Sequence, residues 1–520
     1  MTTVDKRRGT LARTSGAIAV ATLASRVTGF LRNAAVVWVL GLEVLGNAYT
    51  AANTLPNQVY ELLIGGVLTS VLVPVLVRAH HDDADHGEAY TQRLLTLATT
   101  ALLAITALAV VAAPLLIDVV VDNSTGKANP ALATALAYLL LPQILFYGLS
   151  ALLTAVLNTR GVFGPAAWAP VLNNVVLLAT LATYALLPGK PLLSPARMSD
   201  PHLLVLGIGS TLGVVVQAII LVPALRRSGF RWHWRWGWDR RFGSFGALAA
   251  WTVAYALLAQ VGVVAVSNVT TAHGGLLIYT TVWLLVQLPY GIIGFSLITA
   301  ILPRMSRASA GQNTTAVIRD LSLATRLCAV VMLPSSALLT VLGPPLGIAV
   351  FSYGNGVSEA GRLGIALAFA AFGVLPYALT LIQLRVFYAM NDARTPTLIM
   401  LIMTALKVPL TYLTPHLLPS EHVIYGVVVA NSLTFVIGWA IGQLWLRVRL
   451  GPLRGRQLLG TFAKSLLASL TAAGAALVVS TAMPSAWASL AVGGLVGATA
   501  ALGVLFLLRT KELQVVMRRR

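Results

Sequence analysis

Apolar runs, each of about 20 residues or more and so long enough to cross a bilayer's hydrocarbon core, alternate with short polar breaks along the whole chain. The pattern predicts fourteen spanning helices, at 15–40, 51–77, 92–117, 131–157, 165–187, 201–224, 245–268, 276–302, 319–343, 362–388, 397–415, 421–446, 459–480 and 485–508. The first run is too long for a signal peptide, lacks a small-residue cleavage site, and reads as a span. It is also the most anomalous. The stretch Ala21–Asn33, ATLASRVTGFLRN, carries Arg26 and Arg32. A guanidinium keeps its charge at any accessible pH, and near the bilayer centre it costs at least about 2.5–3.5 kcal/mol. Two on one helix are expected to face something wet, anionic or both; the plainer alternative is snorkelling or helix-end glue.

Other polar groups interrupt the apolar pattern at mid-run. Span two opens with NTLPNQVYELLIGG, where Pro56 and Asn57 are expected to kink the helix and Gly65 and Gly66 to loosen it. Glu61 is the one carboxylate placed well inside a span. It is expected to pair with Arg26 or Arg32, or else to stay neutral and bonded to its own helix. LNTRGVFGPAAWAPVLNN, with Gly161, Gly164, Pro165 and Pro170, predicts a tight helical hairpin followed by a kinked helix. There Asn158, Asn173 and Asn174 are either interhelical glue or substrate contacts, with Asn33 as a further candidate. In the second half, QLPYGIIGF brings Gln287, Pro289 and Gly294, Pro396 follows a second hairpin, and Lys407 lies mid-span as a fixed cation or a neutral amine.

Composition narrows the class. The chain is 57% hydrophobic and 10% charged, whereas soluble domains carry about 25% charge. The single Cys328 excludes a disulfide framework, and the eight His show no ligand spacing. No metal or organic cofactor is expected. The net charge of +20 would suggest nucleic acid in a soluble protein, but its distribution says otherwise. With the N-terminus inside, the termini and even-numbered loops hold most Lys and Arg, and the outer loops hold only Lys127, Lys190, Arg197 and Arg362. The positive-inside rule then places both termini in the cytoplasm. RRSGFRWHWRWGWDRRF, at 226–242, interleaves arginines with Trp232, Trp234, Trp236 and Trp238. Between two spans on the inner face it reads as a belt on anionic inner-leaflet lipids rather than a nucleic-acid strip.

An internal repeat orders the chain. Ile64, Gly65, Ser70, Pro74, Arg78 and Ala79 recur at Ile293, Gly294, Thr299, Pro303, Arg307 and Ala308, and the hairpin at Asn158 and Pro165 recurs at Asn391 and Pro396. The repeat predicts two parallel six-helix lobes, 1–224 and 245–448, about an axis along the membrane normal. A cytoplasmic linker at 225–244 joins them, and two further helices lie in 449–520. The fold class is all-α, polytopic and membrane-spanning.

With these residues in place, the chain resembles the lipid II flippases of peptidoglycan synthesis, MurJ or MviN, within the superfamily of multidrug and polysaccharide-lipid exporters. SRVTGFLRNAAVVWVLG, LPN…GG…VPVL, LNTRGVFGPAAWAPVLNN, LPYGIIGFSLITAILPRMSR and FYAMNDARTP carry the resemblance, in order and over nearly the whole chain. It implies two lobes around a V-shaped cationic cavity, a groove on the last two helices for the polyisoprenyl tail, and Arg26 and Arg32 as pyrophosphate ligands. It also implies a bacterial cytoplasmic-membrane location and cell-wall synthases as neighbours. Where the family pattern has more charged cavity groups, this chain has Asn47, Tyr60, Glu61, Gly65 and Leu284, and Lys407 occupies a position near a sodium site. These departures fit a high-GC Gram-positive branch or a paralogue with altered cargo.

The expected activity is translocation of lipid II, or a similar polyprenyl-pyrophosphate glycan, from inner to outer leaflet by alternating access. It would be driven by the membrane potential, with the coupling ion, Na⁺ or H⁺, open. A drug exporter predicts cavity acids, which are scarce here. A non-transporting scaffold for wall synthesis predicts silent substitution of Arg26 and Arg32. No nucleophile–base arrangement suggests an enzyme.

Overall fold

The computed structural model describes residues 3–510 and 512, apart from 63–72, 190, 195, 240–245, 292–300, 302–303, 310 and 454. Among these residues regular structure is helical, without strands. The chain divides into two compact units, Met1–Ala256 and Leu257–Arg520. The division falls within the helix Gly246–Ala272, not in the Arg/Trp segment expected to separate the lobes.

The first unit contains α1 (Thr3–Leu40), α2 (Val44–Leu62), α3 (Val73–Asp82), α4 (Glu88–Val111), α5 (Ala113–Val120), α6 (Pro130–Leu140), α7 (Gln143–Thr159), α8 (Gly164–Leu186), α9 (Pro201–Ile219) and α10 (Leu221–Arg227). The helix α11 (Gly246–Ala272) leads into the second, with α12 (Leu276–Pro289), α13 (Thr314–Phe351), α14 (Ala360–Ala370), α15 (Val374–Ala389), α16 (Arg394–Leu417), α17 (Val423–Leu450), α18 (Gly455–Ala482) and α19 (Ala486–Leu507). A 3₁₀ turn, Ala371–Gly373, links α14 to α15.

Among the described residues ten helices are long and apolar enough to cross a membrane, and α6 with α7, bent by 41° at Leu141–Pro142, supplies an eleventh. The remaining three of the fourteen expected spans have separate explanations. The first lies in the continuous α1, whose apolar character Arg26, Arg32 and Asn33 lower. The second and eighth run into residues 63–72 and 292–300, outside the described set.

Helix starts follow local chemistry. Asn129 caps α6 by accepting from Leu132 N at 2.9 Å, and Asp200 caps α9 by accepting from His202 N at 2.9 Å. Each cap is followed by a proline at the first helical position, where the missing N–H has no intrahelical partner to lose. Pro165 and Pro396 likewise lie in the first turns of α8 and α16, so they start helices instead of hinging them. Pro170 does sit inside α8, and Pro289 closes the α-helical part of α12, with a π turn following at Tyr290 and Gly291. Pro56 lies buried inside an unbroken α2 that already begins at Val44. The kink expected at Pro56 and Asn57 therefore does not end or open that helix. Pro56 leaves the carbonyl of Ala52 without its helical N–H. Gly65, Gly66 and Gly294 lie outside the described residues.

The two hairpin turns share one geometry. Gly161 (φ 74°) and Asn391 (φ 57°) adopt the left-handed conformation. Around them, Val162 N donates to Leu157 O at 2.9 Å and Asp392 N to Phe387 O at 3.0 Å, closing equivalent helix ends. The repeat in this region thus has an offset of 230, with Asn391 taking the place of Gly161. The expected match of Asn158 to Asn391 is out of register. Asn391 recurs because asparagine, like glycine, tolerates the left-handed region.

In the second unit, α13 and α14 cross backbone to backbone. A Cβ at Gly347 would sit 2.5 Å from Ala360 O, and one at Gly364 2.6 Å from Gly343 O. The last two helices pack through a small-residue seam, with Ala468, Ala472 and Ala476 fully buried and a Cβ at Gly497 only 3.0 Å from Ala472 O. Their other faces expose Leu459, Leu470, Val478, Leu495 and Phe506, a surface suited to acyl chains.

Candidate substrate site

In the first unit, α1 packs on α8, α8 on α9, and α2 on α6 and α7. This arrangement surrounds the arginine-bearing turns of α1 with polar side chains from other helices. Asn174 of α8 donates to Ser25 O at 3.2 Å and to Thr28 Oγ1 at 3.0 Å, and so grips α1 on either side of Arg26. Arg26 is half-buried, and its Nε is buried with no hydrogen-bond partner among the described residues. Asn33 Oδ1 is in the same condition. Seven residues is nearly two full turns, so Asn33 and Arg26 share a face of α1, about 10 Å apart. Arg32 projects about 120° around the helix from Arg26, within electrostatic reach of the buried phenols of Tyr49 and Tyr147.

Behind these lies a buried polar hub that the sequence did not announce. Gln217 of α9 is its centre. It accepts from Asn173 Nδ2 at 2.9 Å and donates to Ser150 Oγ at 3.2 Å and Tyr60 Oη at 3.3 Å. Tyr60 and Tyr147 pack with ring centroids 4.4 Å apart. Tyr49 Oη and Ser210 Oγ lie 3.1 Å apart in a neighbouring pair. Asn173 and Asn174 are therefore engaged in ties between helices, the glue arm of the two expectations. A signal was present in retrospect: Gly213 on α9 leaves only 2.5 Å between a notional Cβ and Asn173 Oδ1, so a small residue faces each buried amide.

Glu61 does not take the first of its two expected arrangements, a pair with an arginine of α1. Among the described residues it forms no ion pair with Arg26 or Arg32, and the residue is exposed. The reason is geometric: α2 packs mainly on α6 and α7 and hardly touches α1. Asn57, one turn earlier on the same face, is half-buried. The two guanidinium groups thus keep their net positive charge.

The second unit places its polar groups differently. Gln287 Oε1 accepts from Tyr377 Oη at 3.2 Å. Around that bond gather Trp283, Tyr290 and Phe435, each with a ring centroid 5.2–5.4 Å from that of Tyr377. Lys407 of α16 lies against Gly262 of α11, whose notional Cβ would be 3.3 Å from Lys407 Cδ and 3.8 Å from Nζ. Among the described residues no ion pair involves Lys407, and no group of His, Cys, Asp and Glu could hold a metal.

The other charged residues are mostly structural. Asp392 accepts from Thr395 N at 3.0 Å and pairs with Arg449 at 2.6 Å. Arg326 pairs with buried Glu512, to which Thr461 also donates. Burial pushes the Asp200 carboxyl up, but hydrogen bonds from Leu192 N and His202 outweigh it and hold the group below its ordinary range. The Arg/Trp segment is pinned along α4: Gln92 Nε2 donates to Arg231 O at 3.3 Å and Arg235 N to Thr96 Oγ1 at 3.0 Å. Trp232, Trp234 and Trp236 stack in a ladder with centroids 5.6 and 6.5 Å apart, and Trp234, Trp236 and Trp238 are 59%, 64% and 76% exposed.

Two units of apolar helices, one holding fixed guanidinium groups within a span, define a polytopic transporter rather than a soluble enzyme or a simple anchor. The family model described as "Lipid II flippase MurJ" matches residues 36–495, and the chain belongs to that family. It is accordingly a multi-pass transporter of the bacterial inner membrane. A relative from Rhizobium meliloti, named probable lipid II flippase MurJ, is 26% identical over 433 residues, covering 81% of this chain and 77% of its own. Among solved structures, a lipid II flippase MurJ in an inward closed conformation matches with a TM-score of 0.75 at 19% identity, covering 95% of this chain and 98% of its own. An inward-facing MATE multidrug transporter of the MOP superfamily matches at 0.65 and 14% identity, covering 84% and 99%. These structural likenesses speak to the fold.

Proposed function

We propose that this chain carries lipid II from the inner to the outer leaflet by alternating access, with Arg26 and Arg32 holding the diphosphate. The supporting observation is Arg26: a permanent cation within a span, with a buried Nε that no described residue satisfies. A group left so costs stability unless a ligand meets it. A diphosphate supplies acceptor oxygens for that N–H, and a second charge-assisted contact for Arg32. Asn174 is a positioning residue that fixes the turn bearing Arg26. The exposed apolar faces of α18 and α19 carry the polyisoprenyl tail, which need never leave lipid.

Both termini lie on the cytoplasmic side in this reading. The Arg/Trp ladder rests on anionic inner-leaflet lipids, its indoles at the headgroup level and its arginines on phosphate. The inside-negative potential drives transport: each net charge moved is worth about 2.3 kcal/mol per 100 mV. A loaded diphosphate moves outward, and the emptied cationic site is drawn back. Lys407 adds to the return and stands in for a bound ion.

The test is lipid II translocation in reconstituted vesicles, with and without an imposed potential, beside rescue of a strain depleted of its own lipid II flippase. The proposal expects rescue and a rate that rises with inside-negative potential. A second reading, export of another polyisoprenyl-linked glycan, draws on Tyr60 and Glu61 standing where the family has arginines. Failure of rescue with retained transport of such a glycan would favour it.

A further inference from the structure

Trp and Tyr normally gather at the two membrane interfaces, where one end of the ring system is wet. In the second unit four aromatic rings gather elsewhere. Gln287 and Phe435 stand about 16–18 Å along α12 and α17 from Leu276 and Val423, at a rise of about 1.5 Å per residue. Tyr377 lies close to the midpoint of the Ala360–Ala389 span. All are thus near the middle of a hydrocarbon core about 30 Å thick.

The rings are ordered against one another. Trp283 and Phe435 are stacked, with centroids 5.2 Å apart and planes at 17°. Tyr377 meets Trp283, Tyr290 and Phe435 edge to face, at 78°, 79° and 85°. Its hydroxyl donates to Gln287, which orients that amide. None of the five side chains belongs to the fully buried core; each is half-buried, with part of its surface open. A carboxamide in contact with acyl chains at this depth would be costly, so the exposed side of the cluster is suited to a polar guest with an apolar face.

We propose that Trp283, Tyr290, Tyr377, Phe435 and Gln287 form a saccharide-binding platform that receives a pyranose ring of the head group. This rests on the lipid-linked glycan reading above and names the part of that substrate the second unit takes. The C–H face of a pyranose lies on aromatic rings, while its hydroxyls and acetamido groups exchange hydrogen bonds with an oriented amide. A cationic guest would also suit aromatic faces. However, α12, α14, α15 and α17 contain no acidic residue, and the mid-span charge of this unit is Lys407, a cation.

The experiment measures binding of three ligands to the purified full-length protein: lipid II, sugar-free undecaprenyl diphosphate and tetraphenylphosphonium, each by native mass spectrometry. Variants are Trp283→Leu, Phe435→Leu and Gln287→Leu, with Trp283→Phe as the conservative rescue. We expect the leucine variants to weaken lipid II binding about tenfold, to leave undecaprenyl diphosphate binding unchanged, and Trp283→Phe to recover most of the loss. Equal loss for both lipids, or no loss for either, would overturn the platform. So would selective loss of tetraphenylphosphonium binding in place of lipid II, which would mark a cation cage. Should the wild-type protein ignore lipid II but keep undecaprenyl diphosphate, the cargo reading fails instead, a result separable from the variant series.

Discussion

The tyrosine pair Tyr60–Tyr147 in the first unit and the pair Tyr290–Tyr377 in the second are separated by the same offset of 230 that relates the two hairpin turns. In the first unit the rings pack at 4.4 Å and the hub around them is amide and hydroxyl, centred on Gln217 and within reach of Arg32. In the second they meet edge to face at 5.4 Å, and the surroundings are indole and phenyl, with a single amide. Positions one repeat offset apart thus carry two different chemistries. A charged, hydrogen-bonding environment suits an anion, and an aromatic one suits an uncharged, partly apolar group. On the proposed reading the first environment takes a diphosphate and the second a sugar.

Removing the charge from the first locus should have the largest effect. Arg26→Ala or Arg32→Ala is expected to cost about 2–5 kcal/mol of substrate binding, read as failure to support growth of a flippase-depleted strain at wild-type expression. Arg32→Lys should recover little, because an ammonium cannot fork across two oxygens. Next comes the hub. Gln217→Leu strands Asn173, Ser150 and Tyr60 and should cost about 1–3 kcal/mol of stability, seen as a lower melting temperature in detergent. The corresponding loss of an amide in the second unit's cluster, Gln287→Leu, should barely move that temperature, since only one bond is lost. Asn174→Ala, which frees the Arg26 turn, should cost about 1 kcal/mol and slow transport more than it lowers expression.

The smallest effect concerns Asp200, at a helix start outside the spans. Its carboxyl is held below the ordinary value, so its contribution is complete above about pH 4 and is lost as pH falls through the depressed value. Wild-type melting should be flat in this respect from pH 8 to about 5 and fall below about 4. Asp200→Asn should start lower and show a shallower fall.

The fold was largely legible because hydrophobic run length is a strong signal and few alternatives satisfy backbone groups in lipid. The hairpin and repeat were also legible, although their register was not. Asparagine at 391 replaces glycine at 161, and only the left-handed conformation reveals the equivalence. Arg26 and Arg32 could be singled out because a cation in a span is costly wherever it points. Partnership was harder. Glu61 was expected to meet an arginine because the helices are consecutive, but α2 packs on α6 and α7. Sequence neighbours need not be spatial neighbours in a bundle. The aromatic cluster escaped notice because Trp283, Tyr377 and Phe435 are ordinary apolar residues in their own helices. Only the convergence of α12, α15 and α17 makes them a group.

The central claim is that the two guanidinium groups of α1 grip a diphosphate. The most direct measurement compares affinity for undecaprenyl diphosphate and undecaprenyl monophosphate in the wild-type protein and in the Arg26→Gln/Arg32→Gln double variant, after circular dichroism shows both proteins equally helical. The account predicts a clear preference for the diphosphate, about tenfold or more, that disappears in the double variant. Equal affinity for the two lipids in the wild type, or an unchanged preference once both arginines are gone, would contradict it.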